Sequence, residues 1–212
     1  MGRRKKEPKS VHRENIAAAA SLLFMKKGVA AASMDDIAKA AGYSKATLYV
    51  YFKNKEEIVG LLTLNSMKQL YDHICSALDE HETTKTKYDL ICNSLVKYQE
   101  EFPFYFKIVL DKINIDFERR DCLPEEKETY QVGEAINEKL KDFLIYGIRK
   151  GDLKSDLDVM PTIFNFWGML SGAVNLAANK EEYIKNTMGL SKYQFLEYGF
   201  NMLYRSIANT EE

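Results

Sequence analysis

The stretch SMDDIAKAAGYSKATLYVYFKNK, residues 33–55, decides the fold of the N-terminal region. Ser33 is a favourable N-cap for a helix that carries two acidic residues in its first turn. Gly42 suits the left-handed position that ends such a helix, and Ser44 can cap a second short helix over 45–52. The pattern therefore predicts two short helices joined by a tight turn, a helix-turn-helix.

Two short helices with so tight a turn bury little apolar surface between them and need a third helix beneath. Residues 14–27 supply one, because Gly28 follows its last turn and apolar side chains recur on one face. That face consists of Ile16, Ala20, Leu23 and Phe24. A small helical bundle without a nucleic-acid role remains an alternative on this pattern alone.

Charge is distributed unevenly along the chain. Residues 1–55 contain twelve lysines and arginines against four acidic residues, a net charge of +8, whereas the remainder carries a net charge of −9. A basic head attracts phosphate, and an acidic body does not. Residues 2–9, GRRKKEPK, are predicted to form a flexible basic arm, which either reaches the minor groove or adds only unspecific, salt-dependent affinity. DNA is therefore the predicted partner.

Two segments, ENIAAAASLLFMKKG and ASMDDIAKAAGYSKATLYVYFKNKEEI, resemble the DNA-binding head of the TetR family of bacterial transcriptional regulators. The resemblance covers about residues 12–60. Tyr51 departs from the pattern, since the family often has His there, but either side chain can hydrogen-bond to phosphate. The resemblance implies a homodimer that binds double-stranded operator DNA and a small-molecule inducer.

The second short helix is expected to enter the major groove. Lys45, near its start, is the candidate for donating to guanine O6 and N7, while methyl groups of Ala46 and Thr47 can touch thymine. Thr47 is alternatively a phosphate contact, and for each single residue a solvated surface position is the alternative. The predicted DNA-binding set, including phosphate contacts that the family resemblance implies, is Ser33, Ser44, Lys45, Ala46, Thr47, Tyr49, Tyr51 and Lys55.

Beyond residue 54 apolar residues recur at helical spacing, and no alternating run is long enough for a strand. The predicted fold is all-α, with an N-terminal three-helix helix-turn-helix DNA-binding domain over 1–55 and a larger helical ligand-binding and dimerisation domain over 56–212. A long helix over 55–80 should join the two. Further helices are predicted over 85–101, 103–116, 124–150, 158–179, 181–188 and 191–208.

Residues 159–179 carry no charged side chain, a length that could cross a membrane. Pro161 and several Asn and Ser residues dilute the stretch and no second span exists, so we reject a membrane role. The helix is instead expected to face the body on one side and a second subunit on the other. Placement in a central core is the alternative. The predicted dimer interface, which matches the four-helix interface of the family, comprises Gly168, Gly172, Leu196, Phe200, Leu203 and Ile207.

Many aromatic residues and methionines lie in the body, where most should be core. Some could also line a cavity for a lipophilic or aromatic ligand, and the family resemblance implies an inducer pocket in this region. The predicted ligand-binding residues are Met67, Tyr71, Tyr98, Phe104, Met160, Phe164 and Trp167.

Catalytic chemistry finds little support. The three histidines are scattered, the three cysteines are widely spaced, and nucleotide-binding and hydrolase motifs are lacking. We therefore expect no enzyme activity, metal or cofactor, and a cytoplasmic location. Three functional classes compete: a ligand-responsive dimeric repressor, a constitutive DNA-binding protein without a ligand cavity, and a helical scaffold or enzyme with an incidental basic head. The first is the predicted function.

Overall fold

In the computed structural model the chain is described over residues 7–78, 83–112 and 123–209. These ranges form ten helices, and the all-α prediction is confirmed. In chain order they are α1 (Lys9–Lys27), α2 (Met34–Ala41), α3 (Lys45–Tyr51), α4 (Lys55–Leu78), α5 (Thr84–Glu101), α6 (Pro103–Lys112), α7 (Pro124–Lys150), α8 (Val159–Asn179), α9 (Glu181–Met188) and α10 (Lys192–Ile207).

The predicted helices over 55–80 and 103–116, and most of the predicted arm over 2–9, extend outside the described residues. The first helix begins at Lys9, five residues earlier than the sequence pattern predicts.

The two short helices begin where the sequence predicts, and α3 ends at Tyr51, one residue before the predicted end. The Ser33 hydroxyl accepts the backbone N–H of Asp36 at 3.2 Å, and the Asp36 carboxylate accepts the backbone N–H of Ser33 at 3.0 Å. This reciprocal capping box satisfies two of the N–H groups that a helix start leaves unpaired. Gly42 ends α2 with a φ of +73°, and the Ser44 hydroxyl caps α3 by accepting the N–H of Thr47 at 3.1 Å.

The head has its own apolar core, formed by α1, α2, α3 and the first half of α4. The domain boundary at residue 55 remains a prediction, and this core continues across it into α4 and α6. Helix α4 therefore belongs to the head at its start and to the body at its end. The buried head cluster consists of Ile16, Ala17, Ala20, Phe24, Ala32, Ile37, Ala38, Leu48, Phe52, Ile58, Leu61, Leu62 and Ile108.

The body packs the second half of α4 against α5 and α7, with α8 and α10 completing a second apolar core. Helix α7 lies along α4 and also contacts α5 and α8. Among the described helices, none is both long and apolar enough to cross a membrane.

Candidate DNA-binding surface and apolar cavity

Helix α3 buries one side in the head and leaves the other open. Leu48 is fully buried, whereas Lys45, Ala46, Tyr49 and Val50 are exposed. A helix that is anchored on one face can offer the opposite face to a groove without losing its core contacts. The exposed face holds three of the residues that the sequence assigns to DNA.

Lys45 is engaged in an ion pair across the turn. Its ammonium lies 2.8 Å from a carboxylate oxygen of Asp35 in α2, and both side chains are more than half exposed. The hydrogen bond to Asp35 raises the pKa of Lys45, so the side chain stays charged. A base that binds this ammonium therefore competes with Asp35 for its three N–H donors.

The serine and threonine hydroxyls of the predicted set also have partners within the head. The Ser33 hydroxyl lies 2.6 Å from the Asp36 carboxylate, and hydrogen bonds from Lys27 and Ser33 hold the pKa of Asp36 well below its usual range. Ser44 and Thr47 share a hydroxyl–hydroxyl hydrogen bond of 2.7 Å. These hydroxyls set the starts of α2 and α3, and phosphate binding by them would be additional to that role.

Lys55 has a structural role that the sequence did not predict. Its ammonium donates to the carbonyls of Val29, Ala30 and Ala32 at 2.7, 3.3 and 3.0 Å. An ammonium has three N–H donors, so these carbonyls occupy all of them. Lys55 therefore clamps α4 to the loop after α1, and its phosphate contact stays a prediction in which phosphate would have to compete with these carbonyls.

A cluster of three rings lies beside α3. The Nδ1 atom of His12 is 2.8 Å from the Tyr43 hydroxyl, and the rings of His12 and Tyr51 lie 5.1 Å apart. The sequence pattern assigns no role to either His12 or Tyr43. No local pattern could have joined them, because 31 residues separate them. The cluster orients the Tyr51 ring, which belongs to the predicted phosphate-binding set.

An apolar cavity of about 50 Å³ lies in the body between α4, α5, α7, α8 and the end of α10. Among the described residues, no charged side chain lines it. The Tyr88 hydroxyl donates to the Phe200 carbonyl at 3.0 Å, and the Thr162 hydroxyl donates to the Asp158 carbonyl at 2.6 Å. With these groups satisfied, the wall suits an uncharged apolar guest. The lining residues are Ile74, Tyr88, Ile91, Leu95, Leu140, Phe143, Leu144, Thr162, Ile163, Phe166, Trp167, Leu170 and Ile207.

Among the predicted ligand-binding residues, Trp167 lines this cavity and the other six lie elsewhere. Tyr98 is fully buried, and its hydroxyl is 2.5 Å from that of Ser66 in α4. Burial raises the pKa of this tyrosine, which stays neutral and serves as a link between α4 and α5. Met67 is buried, and Tyr71 is half-buried at the edge of the body core.

Three further residues of that set lie outside the cavity, because they face the head or the solvent. The Phe104 ring packs 6.0 Å from the ring of Phe24, within the head cluster. Met160 and Phe164 lie on the exposed side of α8. Helical spacing identifies apolar positions, but it does not determine which neighbouring helix covers each one.

Helix α8 presents a continuous apolar face to the outside. Phe164 is 60% exposed, Gly168 and Gly172 are exposed, and Leu176 is 49% exposed. These positions follow one another at four-residue steps, so they share one side of the helix. The two glycines therefore lie where a second helix could approach closely.

The prediction for α10 requires correction. Leu196, Phe200 and Ile207 are buried within the protomer's own core, so they cannot meet a partner, and Leu203 is half-buried. The apolar residues that α10 exposes are instead Tyr198 and Met202, together with Tyr193 near its start. We define the α8–α10 face as Phe164, Gly168, Gly172, Leu176, Tyr198 and Met202.

Comparison with known proteins agrees with this architecture. Residues 16–62 match the model of the family described as bacterial regulatory proteins, tetR family. The HTH-type transcriptional regulator TtgR of Pseudomonas putida is 38% identical over 82 residues, a match that spans 39% of each chain. The fatty acid metabolism regulator protein of Bacillus subtilis (strain 168) is 28% identical over 74% of this chain and 76% of its own.

A solved structure extends the likeness to the whole fold. The ketosteroid transcriptional regulator KstR2 of Mycobacterium tuberculosis superposes with a TM-score of 0.69 and 19% identity, over 93% of this chain and 95% of its own.

Proposed function

Because the chain belongs to the TetR family of bacterial regulatory proteins, we propose that it is a ligand-responsive dimeric repressor. It binds a palindromic DNA operator and is released by a small lipophilic or aromatic inducer. The prediction that the chain is not an enzyme is confirmed, because the family consists of regulatory proteins.

The observation that carries the proposal is the exposed face of α3, a helix that the buried Leu48 anchors in the head. Lys45 and Ala46 stand at its N-terminal end, the end that enters the major groove in helix-turn-helix proteins. Tyr49 and Tyr51 follow the buried Leu48 in the second half of the helix, where they can reach the phosphates that flank the groove. Base contacts and phosphate contacts are therefore available on one surface.

Dimerisation is proposed through the α8–α10 face. An exposed apolar patch of this kind is a usual sign of a protein interface. A palindromic operator follows from the two-fold symmetry of such a dimer, because its two recognition helices enter successive major grooves about 34–36 Å apart.

The inducer is proposed to be an uncharged apolar molecule, or the apolar tail of a larger one, since the described residues of the cavity wall carry no charge. Pockets for small molecules usually measure roughly 300–1,000 Å³, several times the volume of this cavity. A ligand of that size must push the surrounding helices apart. The relative named for fatty acid metabolism makes acyl chains reasonable first probes.

The test starts with selection of duplexes from a random pool, followed by binding measurements on the selected duplex and its single-base variants. Lys45→Ala should relax the preference at one position per half-site, at a cost of roughly 1–3 kcal/mol. Tyr49→Phe should weaken all sequences alike. If Lys45→Ala weakens binding to the selected duplex and to all its single-base variants equally, Lys45 is a phosphate contact. If the wild-type protein shows no base preference at all, the scaffold class is favoured.

Ligand response is tested with dodecanol and dodecanoate, two probes that differ in charge. Dodecanol should quench Trp167 fluorescence and lower affinity for the selected duplex. Leu170→Phe, which adds a ring to the cavity lining, should abolish the response while leaving duplex binding intact. If neither probe has an effect on the wild type, the lipophilic inducer class is contradicted and the constitutive DNA-binding class is favoured.

A further inference from the structure

One arginine of the head joins three parts of the molecule. Arg13 in α1 donates from Nη1 to the backbone carbonyl of Tyr51, at the end of α3, with a distance of 2.9 Å. Its Nη2 donates to the carboxylate of Glu125, in the first turn of α7. The guanidinium also lies 4.3 Å from the centroid of the Phe52 ring. Through Arg13, the recognition helix is therefore tied directly to a helix of the body.

The chemistry of this contact requires arginine. A guanidinium is planar and presents several N–H donors in fixed directions, so it can serve a carbonyl, a carboxylate and an aromatic face together. The carbonyls that end a helix lack partners within it, so a cation at the end of α3 is favourable. Only 26% of the Arg13 side chain and 18% of the Glu125 side chain are exposed, so water screens the pair incompletely.

The other end of α7 reaches the cavity. Leu140, Phe143 and Leu144 lie in the second half of this helix and form part of the cavity wall. Helix α7 is continuous from Pro124 to Lys150, a length of about 40 Å at 1.5 Å per residue. If the cavity end of α7 moves, Glu125 at the other end should therefore move with it, because one continuous helix joins them.

Helix α4, which the sequence predicts as the connection, also reaches the cavity through Ile74, but it enters the head as part of its core. Its first half carries Ile58, Leu61 and Leu62 into the core of the head, and Lys55 clamps it to the loop after α1. The start of α4 is thus part of the head itself. Glu125, in contrast, belongs to a helix of the body and reaches the head from outside.

We propose that Arg13 is a positioning residue that holds the recognition helix at a fixed orientation to the body, and that a ligand in the cavity acts on DNA binding through α7, Glu125 and Arg13. This inference rests on the proposed function. The cavity is smaller than an ordinary ligand, so binding must displace its walls, among them α7. By linkage, DNA that fixes the head must also alter the cavity.

The reciprocal effect allows a test without an identified inducer. Trp167 is the only tryptophan of the chain and lines the cavity, so its emission reports on that site. The selected duplex is titrated into wild-type protein and into Glu125→Gln, with binding followed separately by a label on the DNA. We expect the duplex to change Trp167 emission in the wild type. In Glu125→Gln it should still bind, but the change in emission should be lost.

Glu128→Gln is the matched control. Glu128 lies on the same helix, three residues beyond Glu125, and pairs with Lys68 of α4 at 2.6 Å without reaching the recognition helix. It should retain the full change in emission. Arg13→Lys is a second test variant, because it keeps the charge but cannot serve both Tyr51 and Glu125 with the same geometry. It should behave like Glu125→Gln.

The outcomes separate this inference from the proposed function. A chain that selects no preferred duplex contradicts the proposed function itself. If the duplex binds but leaves wild-type Trp167 emission unchanged, or if Glu125→Gln responds like the wild type, the route through α7 is wrong. A normal response of Arg13→Lys would show that charge alone suffices, which would overturn the positioning role of the guanidinium.

Discussion

The head and the body differ in the sequence separation between a residue and the partners that define its role. In the head, Ser33, Gly42 and Ser44 each act within four residues along the chain, by capping or ending a short helix. In the body, the role of a residue on α8 or α10 depends on helices that are distant in sequence. A residue that caps or ends its own helix can therefore be inferred from a sequence pattern, whereas a surface or cavity that several helices form together cannot.

The first prediction concerns α8, whose two faces have different neighbours. Phe164→Glu introduces a charge on the exposed face, where an apolar contact with a second subunit is proposed, so we expect a monomer. Loss of the second head should lower operator affinity on the order of 100-fold or more, because the two half-sites no longer act together. Sedimentation velocity and duplex titration provide the measurements.

Tyr183→Glu is the matched control for this substitution. Tyr183 lies on α9 and is 59% exposed, nearly as much as Phe164, but is outside the α8–α10 face. It should remain dimeric with unchanged affinity. A stable dimer of Phe164→Glu would place the interface elsewhere and would make the apolar face of α8 unexplained.

The second prediction tests close packing in the body. A Cβ on Gly147 of α7 would lie 2.6 Å from Cδ1 of Leu153 and 2.7 Å from Cγ2 of Thr84. Gly147→Ala should therefore lower the free energy of unfolding by roughly 1–3 kcal/mol through overpacking. Urea unfolding followed by circular dichroism measures the change.

Gly133, on the same helix, supplies the control. A Cβ there would meet Cε of Met67 at 3.5 Å, an ordinary contact. Gly133→Ala should stabilise the chain by roughly 0.5–1 kcal/mol, because alanine costs less backbone entropy in a helix. If both substitutions stabilise the protein, the close approach of α7 to Leu153 is contradicted.

The third prediction concerns Gly42, the glycine that ends α2 in the head. No atom of the part of the chain that the structure describes lies within 4 Å of a Cβ placed on Gly42, but the φ of this residue is +73°. Gly42→Ala should cost roughly 1–2 kcal/mol through backbone strain alone. Gly42→Asn should cost less, since asparagine tolerates this conformation better. Equal losses for the two variants would indicate that the strain argument does not govern this turn.

These glycines show what could be predicted from the sequence. Gly42 follows a capped apolar pattern, so its role as a helix end was evident without the structure. Gly147 sits inside a helical pattern, and no local pattern indicates that Thr84, 63 residues earlier, approaches it. The same limit explains why the apolar stripe of Leu196, Phe200 and Ile207 was assigned to a partner and proved to be core. A periodic stripe indicates that a face is covered, but not by what.

The cavity and the ring cluster illustrate the same limit at the candidate sites. Trp167 was selected because aromatic residues are common in the body, yet the cavity exists because five helices leave a gap between them. His12 and Tyr43 are far apart in sequence, and only the packing of α1 against the turn brings them together. The exposed side of α3 was predictable, since Leu48 and Phe52 mark the buried side at four-residue spacing.

The last prediction concerns the smallest effect, on the surface of the head. Asp35 holds the Lys45 ammonium at 2.8 Å, and both side chains are largely exposed. When Lys45 contacts a base, the base competes with Asp35 for the ammonium, and the negative charge of Asp35 lies close to the DNA. Asp35→Asn removes both costs, so we expect roughly two- to fivefold tighter binding of the selected duplex, the size of effect typical of an exposed ion pair.

The same substitution in a Lys45→Ala background separates the two costs. If release of Lys45 is the main cause, Asp35→Asn should give a smaller gain when Lys45 is absent, because no ion pair remains to be broken. An undiminished gain would instead assign the whole effect to repulsion between Asp35 and phosphate. Weaker binding of the Asp35→Asn single variant would contradict the prediction and would indicate that Asp35 orients Lys45 for its base. In that case the contribution of this exposed ion pair to DNA binding would depend on how Asp35 positions Lys45, just as the roles of body residues depend on their neighbours.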